Sequence, residues 1–302
     1  MKFAAIDIGS NAVRLLFCNV YDDNGKISYK KAELIRIPIR LGEDSFLEGK
    51  ISIQKADKLV TAMKAFKNLM EVFEAIEYRA CATSAMRDAE NRTEIVERVK
   101  KEAGIDIEII DGKTEADIIY SNHIEEQLDK KNNYLYIDIG GGSSEITLFS
   151  KNKSVVSRSF NVGTIRMLHN QIDKEYWTEF KNWIEEITKE YKPLMAIGSG
   201  GNINKLFKMS GRKSNKPVST LKIKNMYELL ESHTYEERMR IFGLNPDRAD
   251  VIIPASKILL TVLKKADIDK IIVPQIGLSD GIVHQLYEKY IKEKQELKVQ
   301  KL

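Results

Sequence analysis

Apolar residues fall into two kinds of run along this chain. Stretches at 3–8, 134–139 and 194–197, apolar throughout except for Asp7 and Asp138, have the length and content of buried strands, whereas residues 54–74 carry apolar side chains at 56, 59, 60, 63, 66, 69, 70 and 73, one face of a helix. The same reasoning predicts a strand over 76–83, a helix over 91–103 and a strand over 106–110. An amphipathic helix holding Trp177 and Trp183 is expected over 174–191, and a polar-faced helix over 226–240. Asn245-Pro246-Asp247 opens a further helix over 248–266 with Pro254 as a kink or break near its first turns, then come a strand over 270–274 and a closing helix from Leu278 towards Ile291.

One pattern occurs twice. Residues 3–20 read F-A-A-I-D-I-G-S-N-A-V-R-L-L-F-C-N-V, and residues 134–149 read Y-L-Y-I-D-I-G-G-G-S-S-E-I-T-L-F. Each is an apolar strand, an I-D-I-G step, small residues too tight for bulky side chains, and a second apolar strand antiparallel to the first. A third run follows each, over 26–39 and 153–162, the latter extending as a strand to Gly163. The repeat predicts two related domains, placed at 1–125 and 126–302, with the closing helix free to pack back on the first. The segment R-I-P-I-R-L-G-E-D-S-F after the first unit reads as a strand running into a glycine-containing turn.

The chemistry is concentrated at the ends of these strands. Gly140, Gly141 and Gly142 let backbone N–H groups approach an anion without Cβ atoms in the way, and the serine hydroxyls add donors. Taken alone, three glycines serve equally in a plain hairpin, and the second copy at 7–11 is what argues for phosphate. A carboxylate such as Asp138 beside a phosphate is repelled unless a cation intervenes, which points to Mg²⁺. Thr83, Ser84 and Arg87 fall at a strand-to-helix junction, where the hydroxyls could cap the helix and the planar guanidinium suits phosphate. Thr114 with Asp117 resembles a capping arrangement that puts Glu115 in the first turn of a helix, where it either complements the helix dipole or orients a water. A third glycine turn, G-S-G-G at 198–201, precedes a helix and is suited to a phosphate or nucleoside group.

Composition adds bounds. The 302 residues are 43% hydrophobic and 30% charged with a net charge of +4, an ordinary balance that excludes a nucleic-acid binder by bulk charge. Between Tyr191 and Tyr227, however, there is no Asp or Glu, yet there are Lys192, Lys205, Lys208, Arg212, Lys213, Lys216, Lys222 and Lys224. That stretch is either a solvated face or a track for a polyanion. Cys18 and Cys81 lie in apolar runs and read as small buried hydrophobes of a reducing compartment. His123, His169, His233 and His284 show no metal-ligand spacing. With no signal peptide and no apolar stretch near 18 residues, a soluble cytoplasmic protein is expected, with no membrane partner.

Together D-I-G-S-N-A-V-R at 7–14, R-L-G-E at 40–43, A-T-S-A-M-R at 82–87, G-K-T-E-A at 112–116, D-I-G-G-G-S-S-E at 138–145 and G-S-G-G at 198–201 resemble the exopolyphosphatase and guanosine pentaphosphate phosphohydrolase family. Actin, sugar kinases and the 70-kilodalton heat-shock chaperones belong to the same superfamily. The resemblance implies an α/β chain of two ribonuclease H-like (actin-like ATPase) domains with an active-site cleft between them. Glu115 falls on the family's catalytic glutamate. Asp138 falls on an aspartate assigned to magnesium or water positioning, with Asp7 as its counterpart metal ligand. Gly140, Gly141, Gly142, Ser143 and Glu145 match the phosphate-holding motif. Gly9, Ser10, Asn11, Arg14, Thr83, Ser84 and Arg87 are expected on the other wall, with Gly198, Ser199, Gly200 and Gly201 as further phosphate-binding positions. The implied substrates are polyphosphate or guanosine pentaphosphate, the implied cofactor Mg²⁺, and a homodimer is plausible. Many relatives carry two acidic residues where this chain has Thr114 and Glu115, and Ser144 stands where a Thr is frequent. Larger relatives bear additional C-terminal helical domains, which leaves processive tracking of long polyphosphate open. Two alternatives stand: an ATP-dependent phosphotransferase, which would need ATP and an acceptor, and a non-catalytic alarmone sensor, which would bind without turnover.

Overall fold

Strand β1 (Lys2–Ile8) is buried on both faces because different helices cover its two sides. Ala4, Ile6 and Ile8 face one way, into a core with Leu59, Met63, Phe66, Ile95 and Val99. Phe3 faces the other way, edge-on to Tyr287 and Tyr290. The computed structural model describes residues 1–122, 129, 132–151, 153–212 and 216–299.

The first unit is Met1–Asn122 together with Gly277–Leu302, and the second is His123–Ile276. The chain therefore returns: its last helix belongs to the first unit. The boundary placed at 125/126 from sequence lies outside the described residues.

In the first unit, β1 is followed by β2 (Val13–Asp23), β3 (Lys26–Ile37), α1 (Leu41–Glu48), α2 (Ile53–Val72), β4 (Glu77–Ala82), α3 (Ser84–Asp88), α4 (Arg92–Ala103), β5 (Ile107–Ile109) and α5 (Gly112–Tyr120). Strand order is β3-β2-β1-β4-β5, with β1, β2 and β3 antiparallel and β4 and β5 joined parallel. Helix α2 starts where Ser52 accepts a hydrogen bond from Lys55 N and buries Leu59, Val60, Met63, Phe66 and Met70, the stripe its sequence spacing foretold. The glycine-containing turn expected after β3 is instead α1, whose R-L-G-E start holds Arg40 at φ 59 with its guanidinium on Glu43 at 2.7 Å.

The second unit runs β6 (Asn133–Ile139), β7 (Ser144–Ser150), β8 (Lys153–Phe160), α6 (Thr164–Leu168), α7 (Lys174–Thr188), β9 (Leu194–Ser199), α8 (Gly201–Met209), β10 (Val218–Ser219), α9 (Thr220–Glu231), α10 (Tyr235–Phe242), α11 (Pro246–Ala249), α12 (Ile252–Lys265) and β11 (Lys270–Ile272). Its sheet is β10-β11-β9-β6-β7-β8. Read from the other end, β8-β7-β6-β9-β11 repeats the first unit's order and directions, with β10 added at the edge. The repeat seen in sequence is thus a repeat of topology.

Three helical expectations change. Residues 226–240 are two helices, because Thr234 and Glu237 form a reciprocal capping box that starts α10. The run 248–266 is broken between α11 and α12, with Pro254 in the first turn of α12. The strand expected to reach Gly163 stops at Phe160 and gives way to α6.

The closing helix α13 (Leu278–Val299) packs on β1, β2, β4 and α5. Gly281 allows it to approach α5, since a Cβ there would lie 1.9 Å from Ile118 O. Lys31 pairs with Asp280 at 2.8 Å, and the rings of Tyr29 and His284 stack at 3.6 Å. Among the described residues no helix is long and apolar enough to cross a membrane.

Candidate active site

In the first unit the parallel strands β1, β4 and β5 all end at one edge, and the residues singled out in sequence follow those ends, where open α/β sheets carry their ligands. Asp7 sits one residue before the end of β1, directly opposite Arg14 on β2, and the two form an ion pair at 2.5 Å with both side chains largely buried. Asp7 is therefore already matched by a cation from its own sheet. The following turn closes through Gly9 N donating to Ala12 O at 3.2 Å. Ser10 reaches across to Ser84, hydroxyl to hydroxyl at 2.9 Å, and both are buried. Thr83 occupies the cap position of α3 but its hydroxyl makes no capping bond, and it is the Ser10–Ser84 contact that ties the turn after β1 to the start of α3.

Glu115 lies in the first turn of α5, as its position in the sequence suggested, but the capping residue is Asp111, which accepts from Thr114 N at 2.7 Å. The Thr114–Asp117 cap read from sequence is thus replaced by one begun three residues earlier. Arg87, on α3, donates to Ile110 O at 2.9 Å and brings its guanidinium 4.0 Å from Glu115 Oε2. The carboxylate is 13% exposed beside that fixed positive charge. Gly9, Ser10, Asn11, Thr83, Ser84, Arg87 and Glu115 thus follow the ends of three neighbouring strands of this unit, with Asp7 near the end of β1 and Arg14 near the start of β2 beside them.

The second unit repeats the arrangement with different residues. Asp138 sits one residue before the end of β6, in parallel register with Ser199 of β9, whose hydroxyl lies 3.2 Å from Asp138 Oδ2 and 2.9 Å from Ile276 O. Gly200 adopts φ 103, and a Cβ on it would come 2.6 Å from Ile139 O and 3.1 Å from Asp138 Oδ1. The third glycine turn is therefore seated directly against the first strand's aspartate, and only glycine allows it. Arg248 fixes the far end of this turn by donating to Gly201 O at 2.7 Å.

Glu145 stands opposite Asp138 across β6 and β7, on the same face of the sheet, so their Cβ atoms are about 5 Å apart. It is 2% exposed and accepts from Ser159 Oγ at 2.8 Å. Two carboxylates so placed repel unless a proton or cation comes between them. Ser144, expected to keep a hydroxyl for the motif, spends it on Val162 O at 2.5 Å.

The Gly140–Ser143 turn closes as its first-unit counterpart does, with Gly140 N donating to Ser143 O at 2.9 Å. Its carbonyls are then taken in turn by the start of α6. Thr164 N donates to Gly140 O at 3.1 Å, Ile165 N to Gly141 O at 2.8 Å, and Arg166 Nε to Gly142 O at 2.9 Å. In a trans peptide the N–H points opposite the C=O, so fixing these carbonyls aims the amides of Gly141, Gly142 and Ser143 away from α6. Among the described residues none of these amides is given to another protein acceptor. Gly163 passes so close that a Cβ would sit 2.3 Å from Gly141 O. Neither α6 nor Arg166 was found from sequence; the available signal was the glycine of N-V-G-T-I-R, placed where a chain must graze a turn.

Lys205 and Lys208 of the acid-free stretch lie on α8, near enough to each other and to Arg248 that burial and these two like charges lower the Lys205 ammonium below its usual range. Lys213 lies outside the described residues.

A model of the Ppx/GppA phosphatase family matches residues 32–290. The bifunctional 3-dehydroquinate synthase/phosphatase of Fusobacterium nucleatum is 32% identical, over 90% of this chain and 44% of its own length. The chain thus spans less than half of that relative. Exopolyphosphatase 1 of Mycobacterium tuberculosis is 22% identical, over 94% of this chain and 87% of that protein. The crystal structure of the Aquifex aeolicus Ppx/GppA family member superposes with a TM-score of 0.73 at 27% identity, covering 96% of this chain and 98% of that one. An exopolyphosphatase from Cytophaga hutchinsonii reaches a TM-score of 0.83 at 23% identity, covering 96% and 98%, a likeness of fold. The architecture of two ribonuclease H-like (actin-like ATPase) domains expected from sequence is the one these structures share.

Proposed function

The chain belongs to the Ppx/GppA phosphatase family, and from that membership we propose that it is a phosphoanhydride hydrolase removing the terminal phosphate of inorganic polyphosphate or the 5′ γ-phosphate of guanosine pentaphosphate. The observation that carries the reading is the Gly140–Ser143 turn, whose carbonyls are all engaged on one side so that consecutive amides are offered on the other. Donors fixed in advance stabilise charge as it develops on a transferring phosphoryl group without having to reorganise. Glu115, in the first turn of α5 beside Arg87, is the group assigned to orient the attacking water. A loose phosphoryl transition state asks more for placement of that water than for strong deprotonation, which a carboxylate can supply.

Mg²⁺ suits the donors present. Among the described residues no three His, Cys, Asp or Glu side chains gather as a metal-holding group. Mg²⁺ characteristically takes one or two carboxylates and completes its shell with water and substrate phosphate, which the opposed Asp138 and Glu145 permit. Asp7 is the weaker candidate because Arg14 already neutralises it. When bound, the ion would offset charge on the phosphate oxygens.

The surface of α8 bearing Lys205 and Lys208 is assigned to the remainder of the anionic substrate. Charge reversal of both is expected to weaken long polyphosphate more than tripolyphosphate, and an equal effect on both chain lengths refutes that assignment. The activity is tested by phosphate release from long polyphosphate, tripolyphosphate and guanosine pentaphosphate, with Mg²⁺ and with a chelator. Release from at least one, lost on chelation, supports the reading; binding without release from any favours a sensor, and turnover requiring ATP and an acceptor favours a phosphotransferase.

A further inference from the structure

The two units hold their phosphate-type turns by a similar device, and they differ at the carbonyl that Arg166 takes. Gly9 N to Ala12 O in the first unit corresponds to Gly140 N to Ser143 O in the second, and Gly42 N to Ser10 O corresponds to Ile165 N to Gly141 O. By that register Arg40 matches Gly163 and Glu43 matches Arg166. In the first unit the carbonyl of Asn11, equivalent to Gly142, is taken by a backbone donor, Arg40 N at 3.1 Å. Glu43 turns instead to Arg40 and Lys55. In the second unit the equivalent carbonyl is taken by a side chain, the Nε–H of Arg166.

The fold therefore does not need an arginine at this place; its twin closes the same turn without one. Through this bond Arg166 governs the plane of one peptide, the one joining Gly142 to Ser143. Glycine leaves the torsion on its side of that peptide soft, so a directional donor on the carbonyl fixes where the Ser143 amide points. We propose that Arg166 is a positioning residue of the hydrolytic reaction, aligning the Ser143 N–H with a phosphoryl oxygen through the Gly142 carbonyl; this rests on the phosphatase reading for its activity arm. A guanidinium suits the task because Nε lies in a rigid plane, whereas a lysine ammonium is a rotating point charge.

The test compares Arg166→Met, which keeps the aliphatic stem and removes the donor, with Arg166→Lys, which keeps the charge. Two readouts are taken on the full chain. Amide NMR shifts of Gly141, Gly142 and Ser143 are followed on titration with inorganic phosphate, a measurement that needs no turnover. In the wild type all three are expected to move; in both variants Ser143 is expected to lose its response while amides of the first unit's core keep their positions. Phosphate release is measured alongside, and kcat is expected to fall about 10- to 100-fold in both variants, less than or near the loss seen when an oxyanion donor is deleted outright, with KM changed less than threefold. Full recovery by Arg166→Lys would show that charge and not alignment matters, and a rise in KM with kcat kept would show that Arg166 touches substrate itself; either overturns the proposal. An unaltered Ser143 response in Arg166→Met overturns it as well. Should the wild type release no phosphate from any substrate, the functional reading fails while the amide titration still decides the role of Arg166.

Discussion

Replacing Gly281 by alanine sets two well-separated effects against each other. The residue lies inside α13, where alanine is favoured over glycine by about 1 kcal/mol. The new Cβ would however sit 1.9 Å from Ile118 O and 2.7 Å from its carbonyl carbon. Non-bonded heavy atoms settle at about 3.5 Å or more, so α13 and α5 would have to part by over an ångström. The obstacle is backbone and cannot rotate away, which places the cost at the upper end of the roughly 1–3 kcal/mol for overpacking. The separation also strains Ser121 Oγ to Gly281 O and Asn122 Nδ2 to Gly277 O, already long at 3.4 and 3.2 Å. A net loss of about 2 kcal/mol follows, or a fall in Tm of about 4–8 °C at the 2–4 °C per kcal/mol usual for this size of domain. Because α5 carries Glu115, phosphate release at 25 °C should also drop although the protein remains folded. Calorimetry of Gly281→Ala beside Gly104→Ala, which has no atom within 4 Å and only φ +64 to strain, separates crowding from backbone strain. If Gly281→Ala is as stable as the wild type or more so, helix propensity has won and α13 is not seated on α5 as described.

Other consequences can be checked directly. Burial raises the Cys18 thiol to about 11 and the Cys81 thiol to about 12, so neither should be alkylated by iodoacetamide at pH 8 in the native protein, and both should react after denaturation. Burial raises the Asp280 carboxyl above its ordinary value, with Lys31 pulling the other way. A raised folded value means that its stabilising contribution is complete below the unfolded carboxyl's pKa of about 3.9 and is lost as pH climbs through the higher folded value. Urea midpoints of wild type minus Asp280→Asn should therefore decline with rising pH across that window, and a difference that grows with pH contradicts it.

The duplicated core was legible because its signal is local: I-D-I-G followed by small residues recurs, and each copy sits at a strand end. Helix α2 was equally plain, its stripe long enough to show a period. Helices α1 and α6 were not, since eight and five residues give no period to read, and both exist through tertiary hydrogen bonds to the glycine turns. The Asp111 cap was mistaken for Thr114 because both residue types serve as caps and only geometry chooses between them. The return of α13 to the first unit depends on Gly281 meeting Ile118, a contact between residues far apart in sequence. That the closing helix could pack back on the first domain was open in the sequence; Arg166 was hidden, as its partner is a backbone oxygen with no sequence signature.

The central claim is that Glu115 serves the chemistry and not merely the start of its helix. Glu115→Gln keeps the shape and a hydrogen-bonding oxygen while removing the charge. Phosphate release from tripolyphosphate at saturating Mg²⁺ should fall at least about 100-fold in kcat, in the range lost with a general acid–base group, while Tm shifts by no more than about 4 °C, the most that loss of a helix-dipole charge near 1 kcal/mol would cause. A variant that releases phosphate at the wild-type rate would contradict the account.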